Sequence, residues 1–121
     1  MNGALKNNDS SLNTGARDEL RLRVLRALEV NPELSQRQLA AELGVSLGGV
    51  NYALKALVER GFVKAGNFRK SGNKAAYLYV LTPQGVAEKA SLATAFLRQK
   101  LEEYEVLQQE IEALRGEVDR S

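Results

Sequence analysis

The chain has 121 residues, 44% of them hydrophobic and 26% charged, enough for one core of moderate size and little else. It contains neither cysteine nor histidine, which removes disulfides, thiolate zinc sites and Ser-His or Cys-His catalysis. The net charge is only +2, but residues 17 to 82 hold eleven Lys/Arg against six Asp/Glu, while residues 83 to 121 hold five against eight.

Residues 1–16 are rich in Asn, Ser and Gly and are expected to form a disordered N-terminal tail. The stretch from Met1 to Ser11 has one lysine and no continuous apolar run, so it does not read as a signal peptide, and no run approaches a membrane span. A cytoplasmic location is expected. A first helix should run from about Asp18 to Val30, with Leu20, Val24, Leu25 and Leu28 on one apolar face, and Asn31-Pro32 should end it. Arg21, Arg23 and Arg26 on this helix are expected to be solvated.

Ser35 followed three residues later by Gln38 is a capping box, and Leu34 with Leu39 is the matching hydrophobic staple. Leu39, Ala40 and Leu43 then face inward, and Gly44 stops the helix. Ser46 caps a third helix, with Val45 stapled to Val50; Val50, Leu54, Leu57 and Val58 form its inner face, and Gly61 closes it. A small residue at Ala40, a glycine at Gly44 and a branched apolar residue at Val50 have the spacing that a helix-turn-helix needs. Two β-rich runs follow, Phe62 to Phe68 and Ala75 to Leu81, separated by the basic turn Arg69-Lys70-Ser71-Gly72-Asn73-Lys74. The predicted fold is therefore mainly α with a small β-hairpin: a winged helix-turn-helix over residues 17–82.

Thr82-Pro83 starts a fresh helix that should continue to about Val118, leaving 119–121 as a tail. At 1.5 Å per residue it is roughly 54 Å long. A heptad frame puts Ala90, Leu97, Tyr104, Ile111 and Val118 at a, and Val86, Ala93, Lys100, Leu107 and Leu114 at d, so only Lys100 interrupts the seam. So small a head cannot cover such a stripe, which points to a homodimer through a C-terminal coiled coil; the alternative is packing of this helix back on the first one. Leu97, Leu101, Tyr104, Leu107, Ile111, Leu114 and Val118 are its dimerisation residues. A parallel pair would place Glu110 opposite the partner's Arg115.

A helix buried through Val50, Leu54, Leu57 and Val58 turns Ser46, Gly48, Gly49, Asn51, Tyr52 and Lys55 outward. In a helix-turn-helix this leading end lies in the major groove, which makes residues 46–60 the recognition helix. Asn51 can pair bidentately with adenine, and Lys55 can reach guanine or a phosphate. Gly48 and Gly49 are poor residues for a first helical turn, as expected where the backbone must approach a ligand. Tyr52 is placed either on a phosphate or against the wing. Arg69, Lys70, Asn73 and Lys74 belong to a wing spanning 67–75 that would meet backbone or minor groove, and Arg37 is placed to hold a phosphate. Phe68, Tyr77 and Tyr79 are expected to pack sheet against helix and not to stack on bases.

The runs SQRQLAAELGVSLGGVNYALKALVERGFVKAGNF, KAAYLYVLTPQGVAEKA and FLRQKLEEYEVLQQEIEALR resemble the bacterial MarR-family regulators associated with exopolysaccharide gene clusters. The similarity spans about residues 18 to 116 and includes the LT-x-x-G start of the last helix, here Leu81-Thr82 and Gly85. The resemblance implies a dimeric transcriptional regulator acting near genes for capsule or exopolysaccharide synthesis. Two features depart from the broader family. Asn67-Phe68-Arg69 stands where the wing commonly carries Asp-x-Arg, and a single long C-terminal helix replaces dimerisation through both termini around a ligand-sensing cleft.

The expected partners are double-stranded DNA and a second copy of the chain, with no membrane, no cofactor and no metal; no small-molecule effector is identified. A second reading is a protein-interaction or architectural module without sequence-specific DNA binding, which the concentration of positive charge on the supposed DNA face argues against. No enzyme is expected. Adjacent Glu102 and Glu103 diverge on a helix, and Gly48-Gly49 and Ser71-Gly72 match no phosphate-binding loop.

Overall fold

The computed structural model of the chain describes the backbone over residues 2–69 and 75–121, and side chains over 15–66 and 78–121. The order is α1 (Asn2–Val30), α2 (Gln36–Leu43), α3 (Leu47–Glu59), β1 (Val63–Arg69), β2 (Ala75–Leu81) and α4 (Pro83–Arg120). This is a winged helix-turn-helix followed by a long C-terminal helix. β1 and β2 are antiparallel, with Val63 opposite Leu81, Ala65 opposite Tyr79 and Arg69 opposite Ala75.

The caps form as their residue types require. Ser35 Oγ accepts from Gln38 N at 3.1 Å while the Gln38 side chain accepts from Ser35 N at 2.9 Å, a complete capping box. Gly44 takes φ 68°, a left-handed value that residues with a Cβ avoid, and Val45 N donates back to Ala40 O at 3.0 Å to close the turn. Ser46 Oγ accepts from Gly49 N at 3.0 Å and starts α3. The three helices close over one core in which Val24, Leu25, Leu28, Leu39, Val50 and Leu57 are almost wholly buried, and Val63 and Tyr79 seal it from the hairpin side. Each such aliphatic side chain contributes about 1.5–3 kcal/mol.

Four expectations are corrected. First, α1 begins at Asn2 and not near Asp18, so the stretch read as a disordered tail is a helical extension; it holds no proline, and Gly15 is tolerated within a helix at a cost of about 1 kcal/mol. Second, Arg23 is not merely solvated: its Nη2 donates to Leu43 O at 2.6 Å, tying α1 to the orphan carbonyls that end α2. Arg21 pairs with Asp18 at 3.7 Å, and Arg26 alone of the three is exposed. Third, Val58 is not on the inner face but 38% exposed, because Leu54 and Leu57 already fill the core side of that turn. Fourth, α4 runs past Val118 to Arg120, whose Nε donates to Gly116 O at 3.0 Å and extends the last turn.

The start of α4 is held to the end of α3 by a compact set of bonds. Thr82 Oγ1 accepts from Gly85 N at 3.0 Å as N-cap and donates to Gly61 O at 2.5 Å, while Thr82 N donates to Phe62 O at 3.0 Å. Gly85 is buried against Phe62, and a Cβ there would collide with the Phe62 carbonyl oxygen and lie 2.9 Å from its carbonyl carbon. Lys89 then pairs with Glu29 of α1 at 2.5 Å, and Leu92 packs on the core. From Leu97 to the C-terminus every residue except Gly116 is exposed. Among the described residues no helix is long and apolar enough to cross a membrane. Because the clash at Gly85 is with backbone, Gly85→Ala should destabilise the chain by about 2 kcal/mol or more, read as a lowered urea midpoint at unchanged slope.

Candidate nucleic-acid interface

The leading end of α3 stands clear of the core. Ser46, Gly48, Asn51, Tyr52 and Lys55 are exposed and Gly49 is half-buried, so the residues expected to face outward form one continuous edge. Their roles differ in the free protein. Ser46 is already used as a cap, with its oxygen accepting from Gly49 N. A Cβ at Gly49 would come within 3.1 Å of that same side-chain oxygen, which would have to give by a few tenths of an ångström. Nothing lies within 4 Å of the Cβ position at Gly48, so no contact within the chain requires a glycine there. Tyr52, 65% exposed, borders a depression with Arg17, Leu20 and Arg21 of α1. Arg37 is exposed on the first turn of α2.

Asn51 is not free. Its Nδ2 donates to Gln36 Oε1 at 3.0 Å, and Gln36 Nε2 donates to the Tyr79 hydroxyl at 3.0 Å. A relay thus runs from β2 through the first residue of α2 to the outer face of α3, anchored by a tyrosine that is only 7% exposed. The relay engages one N–H of Asn51 and leaves its other N–H and its carbonyl oxygen for an external partner. Gln36, Asn51, Lys55, Val58, Ala65 and Tyr79 line the cleft of ≈ 380 Å³ between α3 and the hairpin. Tyr79 therefore packs sheet against helix as expected.

Sequence reasoning passed over Gln36. The residue sits inside a capping box whose explanation is complete without its side chain, and its partners lie 15 and 43 positions away. On the wing, the backbone of Arg69 ends β1, whereas its side chain and Lys70, Asn73 and Lys74 lie outside the described residues, as do the side chains of Phe68 and Tyr77. Among the described residues no group of acidic side chains is gathered to hold a metal ion.

This arrangement of three helices, a helix-turn-helix and a β-hairpin is a winged helix-turn-helix, and the comparisons agree. Residues 17–64 match the family model for winged helix-turn-helix DNA-binding domains. Comparison with curated protein sequences finds no match. Among solved structures the chain is similar to the PcaV transcriptional regulator from Streptomyces coelicolor in complex with its natural ligand, with TM-score 0.55 and 24% identity over 66% of this chain and 55% of that one. It is similar to the MarR family transcription regulator SP03579, with TM-score 0.55 and 18% identity over 100% of this chain and 89% of that one. A mutant of ZitR from Lactococcus lactis matches with TM-score 0.52 and 26% identity over 81% and 73%. The chain thus spans just over half the length of PcaV, and what it shares with these structures is the winged helix-turn-helix fold.

Removing the relay's anchor is a direct test of its reach. Tyr79→Phe should alter the side-chain amide resonances of both Gln36 and Asn51 and speed their proton exchange, at a stability cost of about 0.5–1.5 kcal/mol. Unchanged Asn51 resonances would show that the relay does not hold it.

Proposed function

We propose that the chain is a sequence-specific double-stranded-DNA-binding transcriptional regulator that acts as a homodimer. The observation that carries this reading is the exposed leading edge of α3 within a winged helix-turn-helix, with Gly48, Asn51, Tyr52 and Lys55 facing away from the core. Residues 46–60 enter the major groove, Asn51 reads adenine, and Lys55 reaches guanine or phosphate. The open space at Gly48 lets the DNA backbone approach the first turn. Arg69, Lys70, Asn73 and Lys74 of the wing meet backbone or minor groove, and Arg37 holds a phosphate. The resemblance to MarR regulators of exopolysaccharide clusters supports genes of that kind as targets, and a cytoplasmic, nucleoid-associated location goes with that role.

Dimerisation through α4 accounts for its apolar stripe. Leu97, Leu101, Tyr104, Leu107, Ile111, Leu114 and Val118 are between 39% and 71% exposed on the single chain. That is a long apolar strip for one helix to leave in water. Leu107→Glu should shift the dimer to monomer by sedimentation and weaken operator binding with it.

Selection from randomised duplex DNA supplies the operator, and two variants then separate the roles. Asn51→Ala should cost roughly 1–3 kcal/mol at one base pair, whereas Lys70→Ala should weaken all sequences alike. If about four basic side chains per protomer neutralise phosphates, log K should fall with log salt at a slope near −7. Recovery of unselected DNA would defeat the sequence-specific reading. Gly48→Ala should leave the fold intact or stabilise it by up to about 1 kcal/mol while lowering DNA affinity; unchanged affinity would remove the close approach assigned to that turn.

A further inference from the structure

We infer that the two C-terminal helices of the dimer pair antiparallel, so that the winged heads stand at opposite ends of the rod; this rests on the dimerisation through α4 proposed above. The helix is electrically polarised along its length. In the segment clear of the head, residues 97 to 100 carry Arg98 and Lys100 and no acid, and residues 101 to 120 carry Arg115 and Arg120 against seven acids. A parallel pair lays the acidic half of each helix along the acidic half of the other. An antiparallel pair lays the basic beginning of each against the acidic end of its partner.

Lys100 decides the matter at the seam itself. It occupies the d position that interrupts the apolar stripe, and in a symmetric parallel pair it faces the partner's Lys100, one ammonium against another. In the antiparallel pair it lies beside the acidic second half of the partner helix. On the single chain its Nζ is already drawn to Glu103 at 3.2 Å, with both side chains more than half exposed. Against this, Glu110 with the partner's Arg115 forms an exposed pair that occurs twice in a symmetric parallel dimer and contributes little. The head also limits the overlap. Up to Leu92 the inner side of α4 is occupied by the Glu29–Lys89 pair and the core, so the segment open to a partner begins at Leu97. Two such free segments overlap end to end in the antiparallel arrangement without bringing the heads together.

The absence of native cysteine allows one spin label per chain, introduced as Asp119→Cys at an exposed position near the C-terminus. Antiparallel pairing separates the two labels by roughly 35–40 Å, the length of the overlapped segments, in a dipolar electron resonance measurement on the full-length dimer. A distance of about 15 Å, as for neighbouring helices at a common end, would overturn the orientation and leave the dimer standing. No dipolar coupling, together with a monomer in sedimentation, would overturn dimerisation itself. A second label at exposed Ala95→Cys should give a similarly long distance, and a short one there would again mean parallel helices.

Discussion

The close approach of Gly85 to the Phe62 carbonyl governs how the two parts of this molecule are joined. Phe62 directly follows the glycine that ends α3, and Gly85 lies in the first turn of α4, so one backbone contact sets the long helix at a fixed position against the end of the helix that faces outward. Thr82 completes the joint by bonding both to Gly61 O and to the first turn of α4. A Cβ at position 85 cannot be accommodated by a side-chain rotation, because what it meets is main chain. A displacement of the start of α4 is therefore transmitted to the end of α3 with little slack.

A second set of bonds acts on the outer face of α3. The Tyr79–Gln36–Asn51 relay joins the hairpin, α2 and α3, running from the buried Tyr79 out to the exposed Asn51. It restricts one amide whose two ends are chemically opposite, donor and acceptor, which is what a group that distinguishes base edges needs. Arg23 does similar work on the opposite side by satisfying a carbonyl at the end of α2. The helix-turn-helix is thus braced by polar contacts at its rim as well as by the apolar core beneath it.

Most of the fold was legible in the residues because its signals are local. The capping box at Ser35, the left-handed Gly44, the cap at Ser46 and the Thr82-Pro83 start all depend on atoms within four positions of one another, and all four appear where their residue types place them. The apolar stripe of α4 was equally plain, being a periodicity within one helix. The start of α1 was missed because a polar composition with glycine reads as a tail, although nothing in residues 2–16 forbids a helix. Val58 was misassigned because helical periodicity marks a stripe wider than the core could receive.

What the sequence by itself determined is the order of elements, the turns between them, the outward face of α3 and the unpartnered stripe beyond Leu97. The tertiary structure decided which of those outward groups are already engaged: Asn51 held by Gln36, Ser46 used as a cap, Tyr52 turned toward α1, and Gly48 left open. It also decided where α4 leaves the core and why position 85 must be glycine. The physical reason is range. Caps and periodicities are interactions between near neighbours, whose outcome residue type and spacing specify. The relay, the Lys89–Glu29 pair and the Phe62–Gly85 contact join residues between 15 and 60 positions apart, and these meet only once the core has brought their helices and strands together.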